Sequence, residues 1–147
     1  MFCPLITDNA TGVYAAHNAG FFGKGIKIGL IDTGVYYLHP ALGGCFGTDE
    51  HGRPCKISFG SDLVGDDYGL NGNFTPVPDS DPLDNCSSEG HGTHTTGIIA
   101  ADTRQITDAK FRPLQDFIGV APEATIGMYR VFGCSGNTAD DVLTKAI

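Results

Sequence analysis

Residues 90–100 read Gly90-His91-Gly92-Thr93-His94-Thr95-Thr96-Gly97-Ile98-Ile99-Ala100. The small residues and the apolar end that follow the first histidine predict a helix over residues 92–101. The positive end of a helix dipole favours the neutral form of His91, and a neutral imidazole is what a general base requires. Gly97 is expected on the face that meets a sheet, where a side chain would hold the two backbones apart.

A second informative stretch lies upstream, at residues 28–34, and reads Ile-Gly-Leu-Ile-Asp-Thr-Gly. The apolar run over residues 26–31 is short and β-branched, which predicts a strand buried on both faces of a parallel sheet. Asp32 then falls at the carboxyl end of the strand, where catalytic groups collect in open α/β sheets. Taken alone, Asp32 is better explained as a turn-forming residue before Thr33 and Gly34.

Asp32 and His91 together suit the chemistry of a serine peptidase. Such an enzyme needs a hydroxyl nucleophile, an imidazole that takes and returns its proton, and a carboxylate that fixes the imidazole tautomer. The 59 positions from Asp32 to His91 are no obstacle, because a strand end and a helix start can be neighbours on one sheet. We therefore predict a catalytic pair, with the serine expected beyond Ile147.

The other segments predict an α/β fold in which short helices and strands are joined by long loops. Residues 43–90 are rich in Gly, Asp, Pro, Asn and Ser and form a loop-rich insertion, with apolar patches that suit a strand or hairpin. Outside it we predict a helix over residues 11–19, a loop or exposed hairpin over 101–116, a strand over 124–132, and a helix that starts at the capping sequence of residues 138–141.

Composition excludes several classes of partner. The net charge is −8 and the pI is about 4.8, which argues against a nucleic-acid or anionic-membrane partner. No apolar run reaches the 18 or more residues of a membrane span. Residues 1–5 do not form a recognisable signal peptide, so an exported parent protein would carry its signal on sequence outside these 147 residues.

The five cysteines indicate disulfides in a secreted protein. They lack C-x-x-C spacing, which leaves a zinc site without support. Cys45 and Cys55 bracket a short polar segment and are the most plausible pair, and the odd count leaves at least one thiol unpaired within the chain. Three sequons, at Asn9, Asn73 and Asn85, fit a glycosylated extracellular protein.

The insertion also carries a group of aspartates that suit a hard cation such as calcium. They lack EF-hand spacing, and a solvated acidic surface is the better explanation. We therefore assign no cofactor or metal, and structural calcium stays open. The aspartates are Asp62, Asp66, Asp67, Asp79, Asp81 and Asp84.

Two motifs in this order, Ile31-Asp32-Thr33-Gly34 and residues 91–97, resemble the aspartate and histidine motifs of subtilisin-like serine proteases, the subtilases. The resemblance implies a three-layer α/β fold with a mainly parallel sheet and flanking helices. It also implies His91 as general base, and it leaves His94 to a packing role. Residues 39–45 look most similar to large secreted subtilases of the minor extracellular protease type.

The same resemblance implies a substrate-binding segment after the predicted strand at residues 124–132. In that family the end of the strand lines the cleft and pairs with the bound peptide. Gly133, Ser135 and Gly136 are the candidate backbone contacts to substrate.

By this comparison residues 1–147 are part of a peptidase domain, and the fold is incomplete in this chain. None of the six serines stands in the Gly-Thr-Ser setting of the family nucleophile, and Asn137 lies in the wrong segment for the oxyanion hole. We expect the isolated chain to lack acyl-transfer activity. The full-length parent is expected to be a secreted, monomeric serine endopeptidase acting on polypeptides.

Two alternatives remain at the level of sequence. In the first, the chain is a truncated, non-catalytic module that binds peptides or a protease partner. In the second, His91, His94 and a nearby aspartate form a metal site. The three-residue spacing can place both imidazoles on one helix face. The H-E-x-x-H pattern of zinc peptidases is missing, however.

Overall fold

The computed structural model of the chain describes residues 10–87 and 90–147. Residues 1–5, Cys3 and the sequon at Asn9 lie outside the described residues. Two 3₁₀ turns, Pro40–Leu42 and Leu70–Gly72, accompany the regular elements. In chain order the α-helices and strands are α1 (Val13–Asn18), β1 (Lys27–Asp32), β2 (Ile57–Asp62), α2 (His91–Ala100), β3 (Thr125–Arg130) and α3 (Asp140–Ala146).

The three strands form a parallel sheet in the order β1-β3-β2. In this register Asp32 of β1 and Asp62 of β2 both lie opposite Arg130 of β3. Because parallel strands end at the same edge, the carboxyl ends of all three strands meet there. This arrangement confirms the predicted α/β class, and β2 confirms the strand predicted inside the insertion.

Strand β1 differs from its prediction, which expected burial on both faces. Ile28 and Leu30 pack against the main core, whereas Ile31 on the opposite face is 41% exposed. The prediction was wrong because, in the part of the chain that the structure describes, the main core covers only the face of β1 that carries Ile28 and Leu30. Its apolar run therefore covers one buried face and one face open to solvent.

The main core lies between the sheet and α2. Ile57, Ile126 and Met128 are fully buried on this side and belong to one cluster with Ala100 near the end of α2. The contacts between α2 and β1 set the distance between the helix and the strand that carry the two predicted catalytic residues. Among the described helices, none has the length and apolar character needed to cross a lipid bilayer.

A smaller core anchors α3. Val142 is buried with Val64, Tyr68 and Val131, and the partly buried Leu143 packs against this cluster. The helix predicted from the capping sequence is therefore present, although it begins at Asp140 after the N-cap residue Ala139, whose side chain makes no capping hydrogen bond.

Two disulfides are present among the described cysteines. Cys45–Cys55 confirms the predicted pair. The second, Cys86–Cys134, joins the segment that precedes α2 to the segment that follows β3. Cys86 and Cys134 are 48 residues apart, so no local pattern in the sequence predicts this pair.

The insertion is tied to the chain that leaves β1. Val35 forms an isolated parallel bridge with Leu83, and its backbone N–H donates to the Pro82 carbonyl over 2.9 Å. Tyr37 is 8% exposed, and its hydroxyl lies 3.0 Å from each Asp81 oxygen, so its single proton is shared between the two. These contacts hold the last part of the insertion beside the carboxyl end of β1.

The Tyr37 hydroxyl gives a pH-dependent test of this attachment. Burial first, and the Asp81 carboxylate second, raise the pKa of Tyr37 to about 12. Because this folded-state pKa lies above the unfolded value near 10, the stability from the protonated phenol is complete below that value and is lost as pH rises through about 12. Tyr37→Phe should cost about 1–2 kcal/mol near neutral pH and almost nothing near pH 12. Urea unfolding of both proteins checks this, and a pH-independent difference would contradict it.

Candidate active site

Asp32 is positioned by the end of β1 and by the turn that follows. It is 9% exposed, and its Oδ1 accepts a hydrogen bond from the Thr33 backbone N–H over 2.7 Å. This bond fixes one carboxylate oxygen at the residue that follows β1. It leaves the rest of the carboxylate directed at α2.

His91 is the first residue of α2, and its ring meets this carboxylate. His91 Nδ1 lies 2.8 Å from Asp32 Oδ1 and 2.9 Å from Oδ2. A carboxylate accepts, so Nδ1 is the nitrogen that donates, and the lone pair of the neutral ring is then on Nε2. The His91 side chain is 68% exposed, against 12% for Asp32, so the base faces outward while its partner is covered.

Thr95 completes the surroundings of the Asp32 carboxylate. Its hydroxyl lies 3.3 Å from Asp32 Oδ2 and 3.1 Å from the Gly92 carbonyl, and its single proton is shared between the two acceptors. Thr95 lies one helical turn after His91, so both face Asp32. The four-residue spacing was the signal in the sequence that would have identified it.

Gly92 allows α2 to approach β1 this closely. A Cβ atom at Gly92 would lie 3.2 Å from Asp32 Oδ1 and would overlap the Gly34 carbonyl oxygen. The prediction that Gly97 makes the close approach was wrong, since a Cβ there would meet nothing within 4 Å. Five residues of α-helix rotate by about 140° relative to Gly92, which turns Gly97 away from the sheet.

His94 does not share the position of His91. Its side chain is exposed, contrary to the predicted packing role. Within residues 10–87 and 90–147, the cluster of metal-ligand side chains whose donor atoms lie within 4.8 Å of one another is Asp66, Cys86 and Cys134, and its sulfurs are joined in a disulfide. The alternative site built from His91, His94 and an aspartate has no matching cluster there.

The three predicted substrate contacts lie together after β3, beside the loop at residues 65–68. Gly133 is buried, and a Cβ there would overlap the Tyr68 carbonyl oxygen. The Ser135 hydroxyl donates to the same carbonyl over 3.0 Å. Gly136 is exposed and has φ 73°. The segment therefore has a fixed inner side and an accessible backbone at Gly136.

This geometry agrees with comparisons to known proteins. Residues 23–147 match the model described as the subtilase family. The chain belongs to the subtilase family. The chain is 35% identical over 143 residues to the minor extracellular protease Vpr of Bacillus subtilis, covering 95% of this chain and 14% of Vpr. Subtilisin Savinase of Lederbergia lenta is 32% identical over 124 residues, covering 84% of this subtilase chain and 32% of Savinase.

Solved structures show the same fold. The nisin leader peptidase NisP from Lactococcus lactis matches with a TM-score of 0.55 and 26% identity, covering 92% of this chain and 30% of NisP. The CspB protease of Clostridium perfringens matches with a TM-score of 0.57 over 90% of this chain and 26% of CspB, at 23% identity. The subtilase chain thus spans less than a third of the length of each of these four relatives.

Five aspartates of the insertion line a cleft of about 410 Å³ in this subtilase, with Arg130 in its wall: Asp62, Asp66, Asp67, Asp79 and Asp81. Arg130 Nη1 donates to Asp62 Oδ2 over 3.0 Å and to Asp66 Oδ1 over 2.7 Å. Burial raises the pKa of Asp62, although the backbone N–H groups of Gly65 and Val64 and then the Arg130 charge act against the shift. Two of the candidate calcium ligands already have a guanidinium as their cation, so we assign no calcium to them. Calcium at the other aspartates stays open and unassigned.

A matched pair of glycine substitutions tests the close approach of α2. Gly92→Ala should displace the helix start from β1 and destabilise the chain by about 1–3 kcal/mol, because the added methyl group has no room. Gly97→Ala adds the same group where there is space and should stabilise the helix by up to about 1 kcal/mol. Urea unfolding of the two variants checks this. Equal stabilities would contradict the assignment of Gly92 as the contact residue.

Proposed function

We propose that the whole protein that carries this chain is a secreted serine endopeptidase, in which Asp32 and His91 supply the acid and base of an Asp-His-Ser triad. The observation that supports this most directly is the 2.8 Å separation of His91 Nδ1 and Asp32 Oδ1. Family membership supports peptide hydrolysis as the reaction. The serine and the oxyanion donors belong to residues beyond the chain described here.

The proposed mechanism follows from the tautomer that Asp32 imposes. With the proton on Nδ1, His91 Nε2 takes the proton of the serine hydroxyl as that oxygen attacks the scissile carbonyl. His91 then returns the proton to the leaving amine. Asp32 keeps the ring oriented and stabilises the imidazolium that forms between the two transfers. Because Asp32 is covered and His91 is exposed, the carboxylate is shielded from water while the ring remains accessible to substrate.

Polypeptides are the proposed substrates, and the proposed contacts are the backbone groups of Gly133, Ser135 and Gly136. An extended peptide can add to such a segment by backbone hydrogen bonds, with side-chain pockets setting preference. Gly136 is the exposed member, which suits a contact with a bound chain. The other two are fixed by the loop at residues 65–68, which suits a rigid binding surface.

Export to an oxidising compartment is the proposed location. The two disulfides support it, since such bonds persist mainly in secreted proteins. The relative named as an extracellular protease also supports it. Asn73 and Asn85 are exposed, as glycosylation would require. We propose a monomer in the full-length form.

A fluorophosphonate probe tests the requirement for sequence beyond this chain. None of the serines in these 147 residues stands in a Gly-Thr-Ser setting, so the chain purified alone should form no acyl-enzyme analogue. The full-length protein should be labelled at one serine. Mass spectrometry of intact protein distinguishes the two results. Stoichiometric labelling of the 147-residue chain would contradict the need for a further segment, and an unlabelled, folded full-length protein would contradict the proposed function.

Asp32→Asn tests the role of the carboxylate in the full-length protein. The amide preserves shape but does not hold the His91 tautomer, so kcat on a peptide substrate should fall about 10⁴-fold with a much smaller change in KM. Asp49→Asn is the matched control, since Asp49 lies in a hairpin loop and bonds Arg53. Kinetics of both variants at a temperature where both are folded provide the measurement. An unchanged kcat in Asp32→Asn would remove Asp32 from the mechanism.

A further inference from the structure

The first turn of α2 lacks a capping side chain of its own. Its N-cap residue is Gly90, which makes no side-chain capping hydrogen bond. The first N–H groups of a helix have no acceptor within the helix and need one from elsewhere. At Gly92 the acceptor comes from another segment, since the Gly92 N–H donates to Thr33 Oγ1 over 3.0 Å. Thr33 therefore caps a helix that begins 58 residues later in the chain.

The Thr33 hydroxyl can accept in this way because its own proton is directed elsewhere. It lies 3.2 Å from Asp84 Oδ2, to which it donates. Thr33 is 7% exposed and Asp84 is 4% exposed, so water is largely excluded from both groups. An acceptor that is ionised strengthens such a bond. The Asp84 carboxylate thus fixes the orientation in which the Thr33 oxygen faces Gly92.

Asp84 is itself held on a fixed frame. Its Oδ1 accepts from the Cys86 backbone N–H over 3.1 Å, and its own N–H donates to the Val35 carbonyl over 3.3 Å. Cys86 is joined to Cys134 by the second disulfide. Asp84 is therefore tied both to the chain that leaves β1 and to the chain that leaves β3.

Two of the bonds that join the end of β1 and the following residue to α2 run side by side. Asp32 contacts His91, and Thr33, which follows Asp32, contacts Gly92, which follows His91. A shift of α2 along or away from β1 would lengthen both bonds together. The capping bond consequently fixes the position from which the His91 ring reaches Asp32.

We infer that Asp84 is a positioning residue for the Asp32–His91 pair and acts through the Thr33 hydroxyl on the first turn of α2. The inference rests on the proposed function for its catalytic consequence, and on the hydrogen bonds alone for its structural one. Asp84 lies outside both sequence motifs, and the Thr33 hydroxyl joins its carboxylate to the first turn of α2. Its effect is transmitted by one hydroxyl group.

The structural part is tested in the 147-residue chain by ¹⁵N NMR of the His91 ring, which reports the tautomer without any need for catalysis. Wild type should show the proton on Nδ1. Thr33→Val keeps the shape but removes the hydroxyl, and Asp84→Asn presents an amide that cannot accept both bonds. Both should shift His91 toward the Nε2–H form, whereas Thr33→Ser should restore the wild-type signal.

The catalytic part is tested in the full-length protein. Asp84→Asn should lower kcat about 10–100-fold with little change in KM, because the base is misplaced while substrate contacts remain. Adding it to Thr33→Val should lower kcat by no more than about twofold beyond Thr33→Val alone, since the two residues act in series. Glu50→Gln removes an exposed carboxylate from the same insertion and serves as the charge control.

The structural test by NMR and the catalytic test by kinetics can fail independently. If wild-type full-length protein neither hydrolyses peptides nor reacts with a fluorophosphonate, the proposed function fails, and the NMR arm still decides the positioning role. If Asp84→Asn keeps both the Nδ1–H tautomer and the wild-type kcat, the inference is overturned. Should Asp84→Asn not fold, the comparison of Thr33→Val with Thr33→Ser decides, and a wild-type tautomer in both would overturn the inference equally.

Discussion

The closeness of the first turn of α2 to the end of β1 is the constraint on which the rest of the site depends. Gly92 faces the Gly34 carbonyl with no side chain between them. This contact brings an imidazole on one element within hydrogen-bond distance of a carboxylate on another, and it lets Thr33 supply the acceptor that Gly90 lacks. A larger residue at Gly92 would act on all of these bonds together. The polar contacts of the site therefore depend on how closely the two backbones pack.

Most of this architecture could be predicted from local patterns. The apolar run before Asp32, the capping sequence before α3 and the small residues after His91 each identify an element, because periodicity and helix boundaries are local signals. The helix phase at Gly92 was not predictable in this way, since it depends on where β1 lies relative to α2. Cys86–Cys134 and the role of Arg130 were missed for the same reason, as their partners are distant in sequence.

Arg130 shows how the sheet edge accommodates so many carboxylates. Its side chain is 3% exposed and donates to Asp62, to Asp66 and to the carbonyls of Leu83 and Phe132. A buried guanidinium with several acceptors can offset its desolvation, whereas a bare charge would be costly. Burial still raises the pKa of Asp62 despite this partner, so desolvation dominates at that carboxyl. The acidic composition of the insertion is thus partly neutralised from within the fold.

The position of the second disulfide bears on how the chain reaches this state. Cys45–Cys55 closes a loop of ten residues, whereas Cys86–Cys134 closes one of 48. On a chain-entropy view, the longer ring lowers the conformational entropy of the unfolded chain and so stabilises the fold by about 4 kcal/mol. During synthesis the first bridge has both of its thiols early, but the second must wait until β3 and the residues after it have emerged. The second bridge therefore becomes possible only after all the residues of the described sheet have been synthesised.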